Sequence, residues 1–149
     1  MNNKFKLTFL SYSENEFFAR SVVSFFMLTL NPSVAQVSDV KTAVSEAVTN
    51  SIVHGYPEKV GEITLEGEII GADLHINVFD EGIGIENIDN ALQPFYTTKQ
   101  DDERSGMGFT IMKSFMDDVK VISKIGEGTK IYMQKNLSTE TQVKNAESK

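Results

Sequence analysis

Phe5, Leu7 and Phe9 alternate with Lys4, Lys6 and Thr8, the two-residue period of a strand with one buried face. The pattern then changes. Ser13 and Glu16 have the spacing of a capping box and open an apolar-rich run that reaches about Leu30. Phe17, Phe18, Val22, Val23, Phe25, Phe26, Met27 and Leu28 are more apolar side chains than one helical stripe holds. Either the helix is packed on two sides within one chain, or one face meets the core and the other a second subunit or partner. Asn31 and Pro32 break it. Ser33 and Gln36 spell a second capping box, and the helical pattern then runs to about His54, where Gly55 and Pro57 stop it. Over residues 61–70, Ile63, Leu65 and Ile69 fall on one side of a strand and Glu62, Thr64, Glu66 and Glu68 on the other. After a turn at 71–73, Leu74, Ile76 and Val78 lead into Asp80, which predicts an antiparallel hairpin.

Periodicity is lost over 81–105, a length that points to a functional lid rather than a passive link, with room for a short helix at 88–92. Gly106 and Gly108 open a helix that reaches about Phe115 or Met116. Residues 119–125 and 129–133 read as strands joined by a tight turn at 126–128. The order is strand, two helices, two strands, lid, helix, two strands. It predicts an α+β fold, an α/β sandwich whose mostly antiparallel mixed sheet is covered by helices on one face. We expect one domain over 1–136 and a polar, frayed or disordered tail over 137–149.

Composition narrows the chemistry. With no cysteine among 149 residues, disulfides, cysteine–zinc sites and thiol catalysis are excluded. Two histidines, His54 and His75, make no persuasive metal cluster. A formal net charge of −7 argues against general nucleic-acid binding. There is no run of about 20 apolar residues for a membrane span and no apolar run of a signal peptide near the N-terminus, so the expected location is cytoplasmic.

Glu46 and Asn50 lie one turn apart on the second helix, which puts a carboxylate and a carboxamide on one face. Val44, Ala47, Val48 and Ile52 lie mostly away from that stripe. The carboxylate can take a proton, and the carboxamide oxygen can join a hydrated Mg²⁺ shell. Asp80, at the end of an apolar strand, suits an amino donor such as the exocyclic amine of adenine. Gly82 and Gly84 let the backbone turn and come close to a ligand. Asp80 also reads as a turn residue capping its own loop. Gly106 and Gly108 at a helix start offer N–H groups to polyphosphate, with Lys99 and Arg104 nearby in the lid; those charges also balance Asp101, Asp102 and Glu103. Thr129 offers a hydroxyl or is simply a strand former. Arg20 sits at the rim of the first helix's apolar surface or is a solvated arginine.

These signals occur in one order: Glu-x-x-x-Asn on a helix, Asp-x-Gly-x-Gly after a hairpin strand, a lid, and Gly-x-Gly at a helix start. Over residues 5–136 that order resembles the Bergerat-fold ATPases and kinases, the superfamily that holds gyrase and the histidine kinases. The strings Ser45-Glu-Ala-Val-Thr-Asn-Ser-Ile-Val-His-Gly-Tyr56, Gln93-Pro-Phe-Tyr-Thr-Thr-Lys99 and Glu103-Arg-Ser-Gly-Met-Gly-Phe-Thr-Ile-Met112 look like the anti-sigma factor serine kinases of endospore-forming bacteria. The stretch from Ser13 to Arg20 is similar to them as well.

The resemblance implies an ATP-dependent protein serine kinase that switches partners between its ATP and ADP states. Glu46 would be the general base and Asn50 the Mg²⁺ ligand. Asp80 would read adenine beside Gly82 and Gly84. Arg104, Ser105, Gly106, Met107, Gly108 and Phe109 would wrap the phosphates, with Thr98 and Lys99 from the lid and Thr129 near the base. Arg20 would meet the partners, a sporulation sigma factor (sigma-F) and an anti-anti-sigma factor that accepts phosphate on serine. The family's homodimer would use the surplus apolar surface of the first helix. A free-standing histidine-kinase catalytic domain and a nucleotide-gated binding module without turnover are the competing readings.

Overall fold

The computed structural model describes residues 1–85 and 103–138, and of 103–107 only the backbone. Strand β1, Asn2–Leu10, leads into helix α1, Glu14–Met27, which closes through a short tight turn, Leu28–Leu30. Helix α2, Val34–Asn50, runs on into a widened turn, Ser51–Gly55. Strands β2, Glu62–Ile70, and β3, Asp73–Asp80, form the expected hairpin. Helix α3, Glu103–Phe115, and strands β4, Asp118–Lys124, and β5, Gly128–Asn136, complete the order. The sheet runs β1-β2-β3-β5-β4, and every pairing among the described residues is antiparallel.

Alternation decides which face is covered. Ile63, Leu65 and Ile69 of β2, Leu74, Ile76 and Val78 of β3, and Ile131 and Met133 of β5 are all buried. They meet Val23 and Met27 of α1, Val44, Ala47 and Val48 of α2, and Met112 of α3, all likewise buried. Such burial, at about 25 cal/mol per Å² of apolar surface, is the main force holding helices to sheet. β1 joins through aromatic edges: Phe5 packs on Phe26 with ring centroids 4.7 Å apart, and Phe9 on Phe18 at 6.4 Å.

The two capping boxes behave differently. At Ser33 the box closes: Ser33 Oγ accepts from Gln36 N, and Gln36 Oε1 accepts from Ser33 N. Gln36 is also buried and donates to Leu137 O at 3.1 Å, which ties α2 to the chain beyond β5. At Ser13 the helix starts where expected, but the side chain caps nothing. Glu16 is engaged elsewhere: its carboxylate accepts from Ser45 Oγ of α2 and pairs with Arg20 Nε at 3.4 Å. The long-range contact wins over the local one.

Helix α3 also departs from expectation, starting at Glu103 rather than at Gly106. Arg104 therefore belongs to its first turn, not to the lid. The second apolar face of α1 stays open within the chain, with Phe25 73% and Phe17 63% exposed. Of the reading that packs α1 on two sides, only the core side is met. The proposed helix at 88–92, Thr98, Lys99 and residues 139–149 lie outside the described residues. Leu137, just past β5, is buried, and its N–H donates to Ala72 O at 2.9 Å.

Candidate active site

The site forms where the end of α2, the end of β3, the start of β5 and the first turns of α3 converge. Asp80 is its buried carboxylate, 5% exposed at the last position of β3. Ser51 Oγ donates to Asp80 Oδ2 at 2.7 Å, and the Gly82 N–H donates to Oδ1 at 2.9 Å. Thr129 stands opposite Asp80 on β5. Burial pushes the Asp80 carboxyl above the ordinary aspartate range, while the hydrogen bonds from Ser51, Gly82 N–H and Thr129 N–H pull against it. Asp80 does bond to its own loop, as a turn residue would, but its second oxygen is held by a different element.

Ser51 reaches Asp80 because α2 does not end as a regular helix. Past Asn50 the turn widens, and the Tyr56 N–H donates to Ser51 O, five residues back, at 3.1 Å. Gly55 is thereby laid against Asp80, where a β-carbon would come within 3.0 Å of the carboxyl group. Gly82 is tighter still: a β-carbon would lie 2.1 Å from Gly55 O. That carbonyl accepts from the Ile83 N–H at 3.0 Å, so the two loops are stitched together. Gly84 has φ +79°, a backbone that L side chains rarely adopt. Tyr56 bolts the other side: its hydroxyl donates to Glu62 O and accepts from the Glu81 N–H, both at 2.7 Å.

Thr129 is buried, its hydroxyl 2.7 Å from Ser123 Oγ. Ser123 Oγ also accepts from the Ile85 N–H at 2.7 Å, anchoring the loop after Gly84 to β4. Ser51, Gly55, Tyr56 and Ser123 thus shape the site, and none was singled out as a site residue from the sequence. The serine directly after Asn50 was the available signal for Ser51.

Glu46 and Asn50 are half-buried, one turn apart on α2, with Val44, Ala47 and Val48 turned into the core. Gly108 of α3 faces Glu46: a β-carbon there would stand 3.5 Å from Glu46 Oε2. The structure therefore brings the Glu46 stripe and the second glycine of Gly-x-Gly together. Gly106 supplies backbone in the first turns of α3. Phe109 is 3% exposed and its ring is committed to the core, which leaves its backbone alone to face a ligand. Arg104, Ser105 and Met107 lie on the same first turns, their side chains outside the described residues.

Among the described residues no group of three or more His, Asp or Glu could hold a metal ion. The Asn50 carboxamide has no hydrogen-bond partner among them. That donor set fits Mg²⁺, which commonly takes one or two protein oxygens and completes its shell from phosphate and water.

Comparison with known proteins shows the family and the fold. The model of the histidine kinase-like ATPase domain matches residues 18–135. The chain is 54% identical over 138 residues to the anti-sigma F factor of Clostridium acetobutylicum, covering 93% of this chain and 96% of that one. The chain belongs to the anti-sigma F factor family. Other anti-sigma F factors match alike: that of Thermoanaerobacter sp. (strain X514) is 50% identical over 138 residues, covering 93% of this chain and 96% of its own. That of Clostridium perfringens (strain SM101) is 50% identical over 140 residues, covering 93% and 100%.

The fold of this anti-sigma F factor family member is shared more widely. The RsbU and RsbW domains of Rv1364c from Mycobacterium tuberculosis superpose with a TM-score of 0.65 at 16% identity, covering 91% of this chain and 32% of that one. The catalytic domain of histidine kinase ThkA gives 0.56 at 16% identity, covering 92% and 96%. No helix among the described residues is long and apolar enough to cross a membrane.

Proposed function

We propose that this chain is a protein serine kinase that also sequesters a sigma factor, with ATP and Mg²⁺ as substrate and cofactor. The observation that carries it is the approach of Gly108 to Glu46, with Asn50 one turn further along α2. A carboxylate beside a glycine-rich helix start, with a carboxamide that has no partner among the described residues, is what in-line phosphoryl transfer needs, since positioning and charge stabilisation do most of the work.

In this reading Asp80 accepts from the adenine amine, and Gly82 and Gly84 let the base approach. The backbone from Arg104 to Phe109 and the side chains of Arg104 and Ser105 hold the phosphates, with Thr98 and Lys99 contributing, and Thr129 lies near the base beside Asp80. Asn50 holds Mg²⁺, which when bound neutralises charge on the phosphate oxygens. Glu46 takes the proton from the acceptor serine as its oxygen bonds to the γ-phosphorus and the bond to the β-phosphate oxygen breaks, releasing ADP. The acceptor is an anti-anti-sigma factor, and the sequestered partner is the sporulation sigma factor, sigma-F. Arg20 and the open apolar face of α1 form the partner-binding surface, and a homodimer covers further apolar area. A cytoplasmic location suits both partners.

The test is incubation of the purified chain with γ-labelled ATP, Mg²⁺ and the anti-anti-sigma protein. Acid-stable label on serine is expected, and Glu46→Gln should bind nucleotide yet transfer at least about a hundredfold more slowly. Acid-labile label would move the reading to histidine transfer. Binding without any label would reduce the chain to a nucleotide-gated binding module.

A further inference from the structure

A groove of about 540 Å³ lies between the end of α1 and the outer face of α2, and it ends at Glu46. Val34 and Val37 supply an apolar wall, and Arg20, Lys41 and Ser45 line its polar side. Val34 is 89% exposed, far more than a valine with a partner inside the chain would be.

The two cations differ. Arg20 is already engaged: its Nε faces the Glu16 carboxylate at 3.4 Å, and its guanidinium lies over the Phe17 ring, 5.1 Å from the centroid. Lys41 is half-buried and has no ion pair or hydrogen bond among the described residues. The neighbouring Asp39 is turned to Lys135, 3.9 Å away. A half-buried lysine with no partner among the described residues, on a chain of net charge −7, is complementary to an anion that arrives from outside.

Distance sets where that anion sits. Lys41 and Glu46 both line the groove, five residues apart on α2, about 7.5 Å along the axis at about 1.5 Å per residue and about 140° around it, so they bound the groove from its two sides. An extended segment covers about 6.6 Å in two residues, and side chains two apart share a face. We infer that this groove seats the acceptor segment in extended form, with its serine at Glu46 and a carboxylate side chain two positions away at Lys41. Lys41 is then a specificity residue, selecting serines with an acidic neighbour at that spacing. The inference rests on the kinase reading above and adds a substrate rule to it.

The test uses the full chain, ATP and the anti-anti-sigma protein. Lys41→Ala should raise KM for the protein about tenfold, as loss of one charge-assisted contact does. The kcat at saturating acceptor and the affinity for ATP should stay within about twofold, and Lys41→Arg should restore KM. Changing an Asp or Glu two positions before or after the acceptor serine to its amide should raise KM with the wild-type kinase and add nothing with Lys41→Ala. An unchanged KM in Lys41→Ala, or losses that simply multiply, would overturn the inference while wild-type transfer leaves the kinase reading standing. Failure of the wild-type chain to transfer would overturn both. Equal loss of ATP affinity and kcat in Lys41→Ala would instead mark Lys41 as structural and also overturn it.

Discussion

Gly108 on α3 faces Glu46 on α2 so closely that a β-carbon at residue 108 would stand 3.5 Å from the Glu46 carboxylate oxygen. That distance is ordinary van der Waals contact, so Gly108→Ala fits. Alanine also favours a helix over glycine by about 1 kcal/mol. The variant should therefore unfold at the same or a slightly higher temperature, yet transfer phosphate several-fold more slowly, because the methyl group occupies space between base and phosphates. Thermal unfolding and a transfer assay on the same sample check this. A variant as active as wild type would mean that the space beside Glu46 is not used.

Ser51 and Asp80 form a second such pair. Ser51→Ala removes a hydrogen bond to a buried carboxylate and should destabilise the chain by about 1–3 kcal/mol. It should also weaken ATP binding, since Asp80 loses what holds Oδ2 in place. Denaturant unfolding and calorimetric titration measure the two effects separately; a full loss of stability with unchanged ATP affinity would detach Asp80 from nucleotide recognition.

Asp80 also makes a pH prediction. Burial raises its pKa in the folded chain, so the folded state holds this proton more tightly than the unfolded one. The group's contribution to stability is therefore greatest below its unfolded pKa and is lost as pH rises through its folded value. Asp80→Asn cannot ionise and escapes that loss. The stability of the variant relative to wild type should become more favourable as pH rises from the acid range to neutrality, while its ATP affinity falls. A pH-independent difference would contradict the assignment.

Gly82→Ala tests the packing of the wall proposed to meet adenine. A β-carbon 2.1 Å from the Gly55 carbonyl oxygen forces backbone, not a flexible side chain, to move. We expect a destabilisation of about 1–3 kcal/mol, typical of overpacking, together with loss of nucleotide binding. Ile83 N–H, bonded to the same carbonyl, should then exchange faster with solvent.

Much of this was legible in the chain. The alternation of Ile63, Leu65, Leu74, Ile76 and Val78 specified both the hairpin and its buried face. The spacing of Glu46 and Asn50 specified their shared side of α2. What was not legible depends on contacts between distant segments. Ser13 and Glu16 spell a capping box, but the Glu16 carboxylate is taken by Ser45 and Arg20, a competition invisible in a local string. Ser51 and Gly55 surround Asp80 only because the turn after Asn50 widens, which helical periodicity does not announce. The start of α3 at Glu103 was hidden by a polar first turn with no apolar stripe to mark it.

If Glu46, Asn50, Asp80 and Gly108 surround one magnesium nucleotide, calorimetric titration of the intact chain with ATP and Mg²⁺ will register it. One binding event per chain is expected, weakened at least about tenfold by Asp80→Asn and retained in Glu46→Gln. No binding heat at any temperature tried, or equal binding by Asp80→Asn, would contradict it.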